Sequence, residues 1–143
     1  MKIMKKIILF LFFTSGVYSS TYLNAQVPDT LRYLRQIVAN KSLYVNHPFS
    51  KLEDSLVLSI QNFTPITPLK NINLEQNAIF GFYYSSNIDE MIAASPALIV
   101  VWETMPIIQN SYRFFYQDNR GKYSSAVSQY YRPFIIKDIY LIE

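Results

Sequence analysis

The sequence of 143 residues contains no cysteine. Disulfide bonds are therefore excluded, and packing alone must hold the folded chain together. The absence also excludes a lipid anchor on an N-terminal cysteine. Histidine is almost as scarce, because His47 is the only one. A metal site with several histidine or cysteine ligands is therefore impossible, and we expect neither a metal nor a cofactor.

Glycine is also rare, with three residues in the whole chain. One of them, Gly16, lies close to the N-terminus. The other two, Gly81 and Gly121, lie far apart and cannot form the glycine-rich loop that cradles a phosphate group. The sequence therefore lacks the usual marker of a nucleotide-binding protein.

An excess of positive charge is present only at the start of the chain. The formal net charge is +3, from 13 lysines and arginines against 10 acids. Lys2, Lys5 and Lys6 supply all of this excess, so residues 26–143 are formally neutral. A neutral domain has no strong long-range attraction for polyanions, which argues against a nucleic-acid partner.

The first 25 residues have the pattern of an export signal. The three lysines precede the apolar run at residues 7–13, and small and polar residues follow it. The run is too short to span a membrane, which takes roughly 20 residues. We expect cleavage after Ala25, with a cut after Ser19 as the alternative. The pattern predicts a mature chain that is periplasmic or extracellular and has no transmembrane anchor.

Residues 26–143 have the length of a single domain. Helical spacing of apolar residues predicts helices, and alternation with β-branched or aromatic residues predicts strands. Residues 87–95 fit either a short helix or a loop. Pro65 and Pro68 are expected to end the first strand. The predicted helices cover about 30–40, 48–56, a stretch beginning at 106, and 124–131; the predicted strands cover about 58–63, 78–84, 97–103 and 134–142. This order indicates an α+β domain with a mainly antiparallel sheet of about four strands and helices on one face.

Three segments carry a family resemblance. They are residues 44–52 (YVNHPFSKL), residues 99–106 (IVVWETMP), and Tyr130-Tyr131 followed by residues 135–139 (IIKDI). In these segments, and in the end of its signal, the chain resembles small exported proteins of unknown function from the Bacteroidota. The resemblance implies an exported α+β domain and carries over no catalytic residues.

Three residues are candidates for catalysis. Glu103 follows the predicted strand at 97–103 and adjoins Trp102, and Asp118 is a possible second acid. Two carboxylates can cleave glycosidic bonds without a cofactor. His47 would have to serve any histidine-dependent mechanism. The alternative interpretation is that the two acids are solvated at the ends of elements and that His47 is a surface or capping residue.

Paired tyrosines provide the candidate binding residues, namely Tyr83, Tyr112, Tyr116, Tyr130 and Tyr131. Consecutive aromatic residues cannot all face one core, so some should reach the surface, where tyrosine suits contacts with proteins or sugars. The alternative is a rim of half-buried tyrosines whose hydroxyls reach water.

Two short segments, at Thr30 and Ser55, match an acceptor pattern for O-glycosylation, although Asp29 and Thr30 also fit a helix cap.

Taken together, these features favour an exported, non-catalytic binding or interaction module whose partner is a protein or a glycan of the cell envelope or outside it. The alternatives are a cofactor-free carboxylate hydrolase acting on a glycan or cell-envelope substrate, and an inhibitor or accessory subunit of another exported protein.

Overall fold

A computed structural model describes residues 29–143. The predicted signal, residues 1–25, lies outside the described residues. Within 29–143 the chain forms five α-helices, a 3₁₀ turn, a π-helix and four strands. In chain order these are α1 (Thr30–Ala39), the 3₁₀ turn (Lys41–Leu43), α2 (Phe49–Glu53), β1 (Asn62–Ile66), β2 (Asn77–Gly81), α3 (Ile88–Ala93), β3 (Ala97–Trp102), α4 (Ile108–Tyr112), the π-helix (Arg113–Asp118), α5 (Ser125–Tyr131) and β4 (Ile136–Ile142).

The four strands form one antiparallel sheet in the order β1-β2-β3-β4. The predicted α+β class and the mainly antiparallel sheet are therefore confirmed. Phe63, Phe80 and Leu98 lie side by side across β1, β2 and β3, on the face that holds the core. Because strand side chains alternate, their neighbours Asn62, Gly81 and Ala97 lie on the opposite face.

The core is largely aromatic. Phe49 of α2 stacks on Phe80 with ring centroids 4.7 Å apart, and Trp102 stacks on Tyr131 at 5.4 Å. All four rings are buried. Leu34 of α1 joins them from the same side of the sheet. Aromatic side chains remove large areas from water, so this packing replaces the disulfides that the sequence cannot form.

Helix α1 begins where the sequence predicts it. The carboxylate of Asp29 accepts hydrogen bonds from the backbone N–H groups of Leu31 and Arg32, at 3.1 and 3.4 Å. Such a cap satisfies donors that have no partner inside the helix. Leu34 and Ile37 then project into the core at helical spacing.

Strands β1 and β2 differ from their predicted bounds. The expectation that Pro65 ends the first strand is wrong, because β1 continues through Pro65 to Ile66. The strand tolerates a residue without an N–H group because it lies at the edge of the sheet. Strand β2 ends at Gly81, so Tyr83 and Tyr84 leave the sheet and are exposed.

The ambiguous segment at 87–95 contains helix α3. The side chain of Asn87 caps this helix by accepting from the N–H of Asp89 at 3.0 Å. Met91 is buried, and its carbonyl accepts from Asn62 Nδ2 at 3.0 Å. Gly81 faces Asn62 across the pair of strands, and a Cβ atom at Gly81 would lie only 2.5 Å from the Asn62 side chain. The glycine therefore leaves the room that this bond to α3 needs.

Candidate functional site

The outer side of α4 and the π-helix carries a depression of about 600 Å³. We call it the tyrosine groove. It is lined by Ile108, Gln109, Asn110, Tyr112, Arg113, Tyr116 and Gln117. Its volume is in the range of about 300–1,000 Å³ that is typical of small-ligand sites.

The π-helix sets which side chains face the groove. The N–H of Asn119 donates to the carbonyl of Phe114 at 2.9 Å, a bond that spans five residues. The turn after the π-helix contains Gly121, whose φ of 74° suits glycine and whose N–H donates to the Phe115 carbonyl at 2.7 Å. Short π-helical segments occur frequently at functional sites. This one directs Phe115 toward the core and leaves Tyr116 outside.

Tyr112 and Tyr116 form an exposed aromatic pair. Their ring centroids are 5.7 Å apart at an interplanar angle of 65°. Tyr112 is 37% exposed and Tyr116 is 67% exposed. The Tyr116 ring also packs edge-on against Phe115 at 4.8 Å, and Phe115 packs against the buried Phe63 at 5.8 Å. Core packing thus positions the Tyr116 ring, although most of this side chain is exposed to solvent.

The other lining side chains are mainly polar. Gln109, Asn110 and Gln117 each present an amide, which donates and accepts hydrogen bonds. Arg113 is a cation, but its Nε lies 3.5 Å from Asp118 Oδ2. The guanidinium also lies 5.1 Å from the ring centroid of Phe114. Asp118, a predicted catalytic candidate, is therefore the ion-pair partner of a groove residue.

Glu75, a fully buried carboxylate, lies on the inner side of α4. Glu75 Oε1 accepts from Trp102 Nε1 at 2.8 Å, and Oε2 accepts from the Tyr131 hydroxyl at 3.0 Å. Glu75 takes part in no ion pair within residues 29–143. Burial raises the pKa of Glu75 to about 7, although hydrogen bonds with Ser111, Trp102 and Tyr131 oppose that rise.

Ser111 and Tyr130 connect this carboxylate to the backbone of α4. Ser111 is buried on the inner side of the helix, and its Oγ lies 3.1 Å from the Tyr130 hydroxyl. Tyr130 also donates to the carbonyl of Ile107, the residue before α4, at 3.3 Å. Partial burial raises the pKa of the Tyr130 hydroxyl above its ordinary value. These contacts hold α4 from its inner side, while Tyr112 lies on its outer side in the groove.

The five predicted tyrosines thus occupy three settings. Tyr112 and Tyr116 lie together in the groove. Tyr130 and Tyr131 support it from the interior, and Tyr131 is fully buried, so a ligand at the surface cannot reach it. Tyr83 is 54% exposed and lies just beyond β2.

The predicted catalytic residues do not converge on the groove. Glu103 Oε2 lies 3.6 Å from Lys137 Nζ, and more than half of each side chain is exposed. His47 is exposed in the turn before α2, where its backbone carbonyl accepts from the N–H of Ile136 at 3.0 Å. Among residues 29–143, no three His, Asp or Glu side chains come together as a metal-binding group.

A second depression, of about 270 Å³, lies beside Glu53 and Tyr123. Glu53 accepts from the Tyr123 hydroxyl at 2.7 Å and from Arg132 Nη1 at 2.8 Å. Arg132 also forms two hydrogen bonds with Asp54, at 2.8 and 3.0 Å. Both oxygens of the Glu53 carboxylate thus already accept hydrogen bonds from protein groups. The bonds of Arg132 link the end of α2 to the end of α5.

Fold and groove together define an α+β protein with a four-stranded antiparallel sheet and a polar-aromatic surface site. No protein-family model matches the chain, and neither the curated proteins nor the solved structures contain a match to it. The resemblance to exported Bacteroidota proteins thus stays a prediction. Within the described part of the chain, no helix has the length and apolar character required to cross a membrane.

Sequence reasoning found Tyr112 and Tyr116 but missed the amides of the groove and the buried Glu75. The amides of Gln109, Asn110 and Gln117 have no local pattern that marks them as site residues. Glu75 lies between Leu74 and Gln76 in a segment without a motif, and only its contacts with Trp102 and Tyr131 reveal its burial.

Proposed function

We propose that this protein is an exported, non-catalytic binding module that takes its ligand in the tyrosine groove. One observation carries the proposal. Tyr112 and Tyr116 form a contacting aromatic pair at the surface, beside amide side chains, in a depression of about 600 Å³. Aromatic side chains with a polar tip are favoured at binding surfaces because they supply contact area and hydrogen bonds together.

The support beneath the groove fits a binding role. Phe115 fixes the Tyr116 ring from the core, while Tyr130 and Ser111 hold the inner side of α4. A site that is already held in shape loses less conformational entropy when a ligand binds. The exposed Tyr83 and Tyr84 have no comparable aromatic packing among the described residues.

Non-catalytic binding is favoured over hydrolysis by the positions of the acids. A two-carboxylate mechanism needs both groups about 5–10 Å apart on either side of one bond. The described residues that line the groove include no carboxylate, and Asp118 is paired with Arg113. Glu103 lies beside Lys137 instead. The export component of the proposal rests on the lysines and the apolar run of residues 1–25.

The test is an association assay with envelope and extracellular material from the cells that produce the protein. The purified, fluorescently labelled protein is sedimented with this material, and the bound fraction is measured. Tyr116→Ala removes the most exposed ring of the groove and should weaken association about tenfold. The matched control is Tyr84→Ala, which removes an equally exposed tyrosine outside the groove and should leave association unchanged.

Two results would count against the proposal. Equal behaviour of Tyr116→Ala and Tyr84→Ala would show that the groove is not the binding site. Release of soluble fragments by the wild type, lost on Glu103→Gln, would favour the hydrolase instead.

A further inference from the structure

We propose that the ligand of the tyrosine groove is a neutral saccharide. This inference rests on the proposed function and adds the chemical class of the ligand. It follows from three properties of the described lining residues: their aromatic surface, their hydrogen-bonding groups and their charge.

The aromatic surface suits a sugar ring. A saccharide presents C–H groups on its ring faces and hydroxyls around its rim. The exposed ring of Tyr116 offers an apolar face to the C–H groups. The Tyr112 ring, inclined at 65° to it, offers a second aromatic surface beside the first. Each tyrosine also carries a hydroxyl at its tip, so the pair offers apolar ring faces and polar groups together.

The hydrogen-bonding groups match hydroxyls. A sugar hydroxyl donates one hydrogen bond and accepts others at the same oxygen. The amides of Gln109, Asn110 and Gln117 present a donor and an acceptor side by side, so each can satisfy a hydroxyl in both roles. A carboxylate would only accept, and an ammonium group would only donate.

The charge argues against an anionic ligand. Arg113 is the only cation among the described lining residues, and Asp118 neutralises it at 3.5 Å. Recognition of a phosphate or carboxylate normally uses the two-pronged face of a free guanidinium. The one aliphatic lining residue, Ile108, is only 6% exposed, so the tyrosine rings are the main apolar side chains that a ligand would meet.

The experiment titrates the purified protein against an immobilised panel that contains neutral glycans, sulfated glycans, uronic-acid glycans and vesicles of phosphatidylglycerol. We expect binding to one or more neutral glycans. Their affinity should change less than about twofold between about 0.1 and 1 M NaCl, since little charge is involved. The soluble neutral trisaccharide of the bound glycan should compete with the immobilised form.

Four variants test the contacts. Tyr116→Ala should weaken binding of the neutral glycan about tenfold. Tyr116→Phe, which keeps the ring, should stay within about threefold of the wild type. Gln117→Leu keeps the size of the side chain, removes its amide and should weaken binding about fivefold. Tyr84→Ala is the control and should bind as the wild type does.

Binding confined to sulfated or acidic glycans or to vesicles, and also the absence of any neutral binder, would overturn the saccharide inference. The proposed function would survive that result if Tyr116→Ala still reduced association with the envelope material and protease treatment of that material abolished the association. A protein ligand would then occupy the groove. If Tyr116→Ala weakened neither the binding of neutral glycans nor the association with envelope material, the inference and the proposed function would both be refuted.

Discussion

The substitution Glu75→Gln should alter how the stability of this protein depends on pH. Glu75 is a buried carboxylate that accepts from Trp102 and Tyr131 and pairs with no cation among the described residues. Burial disfavours its charged form, so the pKa of Glu75 rises from 4.5 to about 7 on folding. Glutamine has the same length and cannot ionise, and its carbonyl oxygen can keep the bond from Trp102.

The magnitude follows from the shift in pKa. One pKa unit corresponds to about 1.4 kcal/mol, so ionisation of Glu75 should cost the folded state about 3 kcal/mol. Because the folded chain binds this proton more tightly than the unfolded chain does, the stabilisation is fully present below pH 4.5 and is lost as the pH rises through the folded pKa of about 7. Between pH 5 and pH 8 the wild type should lose about 2–3 kcal/mol of stability that Glu75→Gln does not lose.

The assay is equilibrium unfolding in urea at several pH values between 5 and 8. Fluorescence of Trp102, the single tryptophan of the chain, reports the transition because its ring is buried against Tyr131. The free energy of unfolding is compared between wild type and variant at each pH. A constant offset is expected from the new amide donor facing Tyr131, so only the change of the difference with pH is diagnostic.

The matched control is Glu103→Gln, which makes the same chemical change at a side chain that is 55% exposed. Because this side chain is not buried, the substitution removes no desolvation penalty, and the variant should follow the wild type. Parallel curves for wild type and Glu75→Gln between pH 5 and 8 would refute the reasoning, and so would equal flattening by both variants.

Substitutions at three further positions test the fold through the same unfolding measurement. Gly81→Ala places a methyl group 2.5 Å from the Asn62 side chain, and it should destabilise the fold by about 1–3 kcal/mol through overpacking and loss of the bond to α3; an unchanged midpoint would contradict this. Asp29→Ala removes the cap of α1 and should cost about 1 kcal/mol, whereas Asp29→Ser should recover most of it. Phe49→Ala empties the centre of the aromatic core and should cost about 3–5 kcal/mol, so a loss below 1 kcal/mol would show that the core repacks.

Local patterns were sufficient where an element's own residues determine it. Helix α1 was predicted correctly because a capping residue, Asp29, precedes apolar residues at helical spacing. Strand β3 was predicted because six consecutive apolar residues, rich in β-branched side chains, suit a strand buried at the centre of a sheet. The predicted order of helices and strands was also sufficient for the α+β class.

Elements that depend on distant neighbours were predicted less well. Pro65 ordinarily breaks a strand, and it is accommodated in β1 only because that strand lies at the sheet edge. The aromatic alternation beyond Gly81 suggests a longer strand, but β2 ends at Gly81, the last residue paired with β1 and β3. The position of a strand in its sheet is a property of the whole fold and has no local signature.

The residues of the candidate site were likewise predicted only in part. The sequence alone indicated that paired tyrosines must partly reach the surface, because adjacent side chains on one segment cannot all face a single core. It could not distinguish Tyr112 and Tyr116, which lie exposed in the groove, from Tyr131, which is buried against Glu75.

By itself, the amino-acid sequence determined the absence of disulfides and thiolate ligands, the formal neutrality of residues 26–143, and the local signals that predict the α+β class. Each of these follows from composition or from residues close together in the chain. Only the tertiary structure decided which tyrosines form the groove, that Asp118 neutralises Arg113 there, and that Glu75 is buried between Trp102 and Tyr131. The burial of Glu75 depends on packing between residues 27 and 56 positions apart, and no local periodicity encodes contacts over such separations.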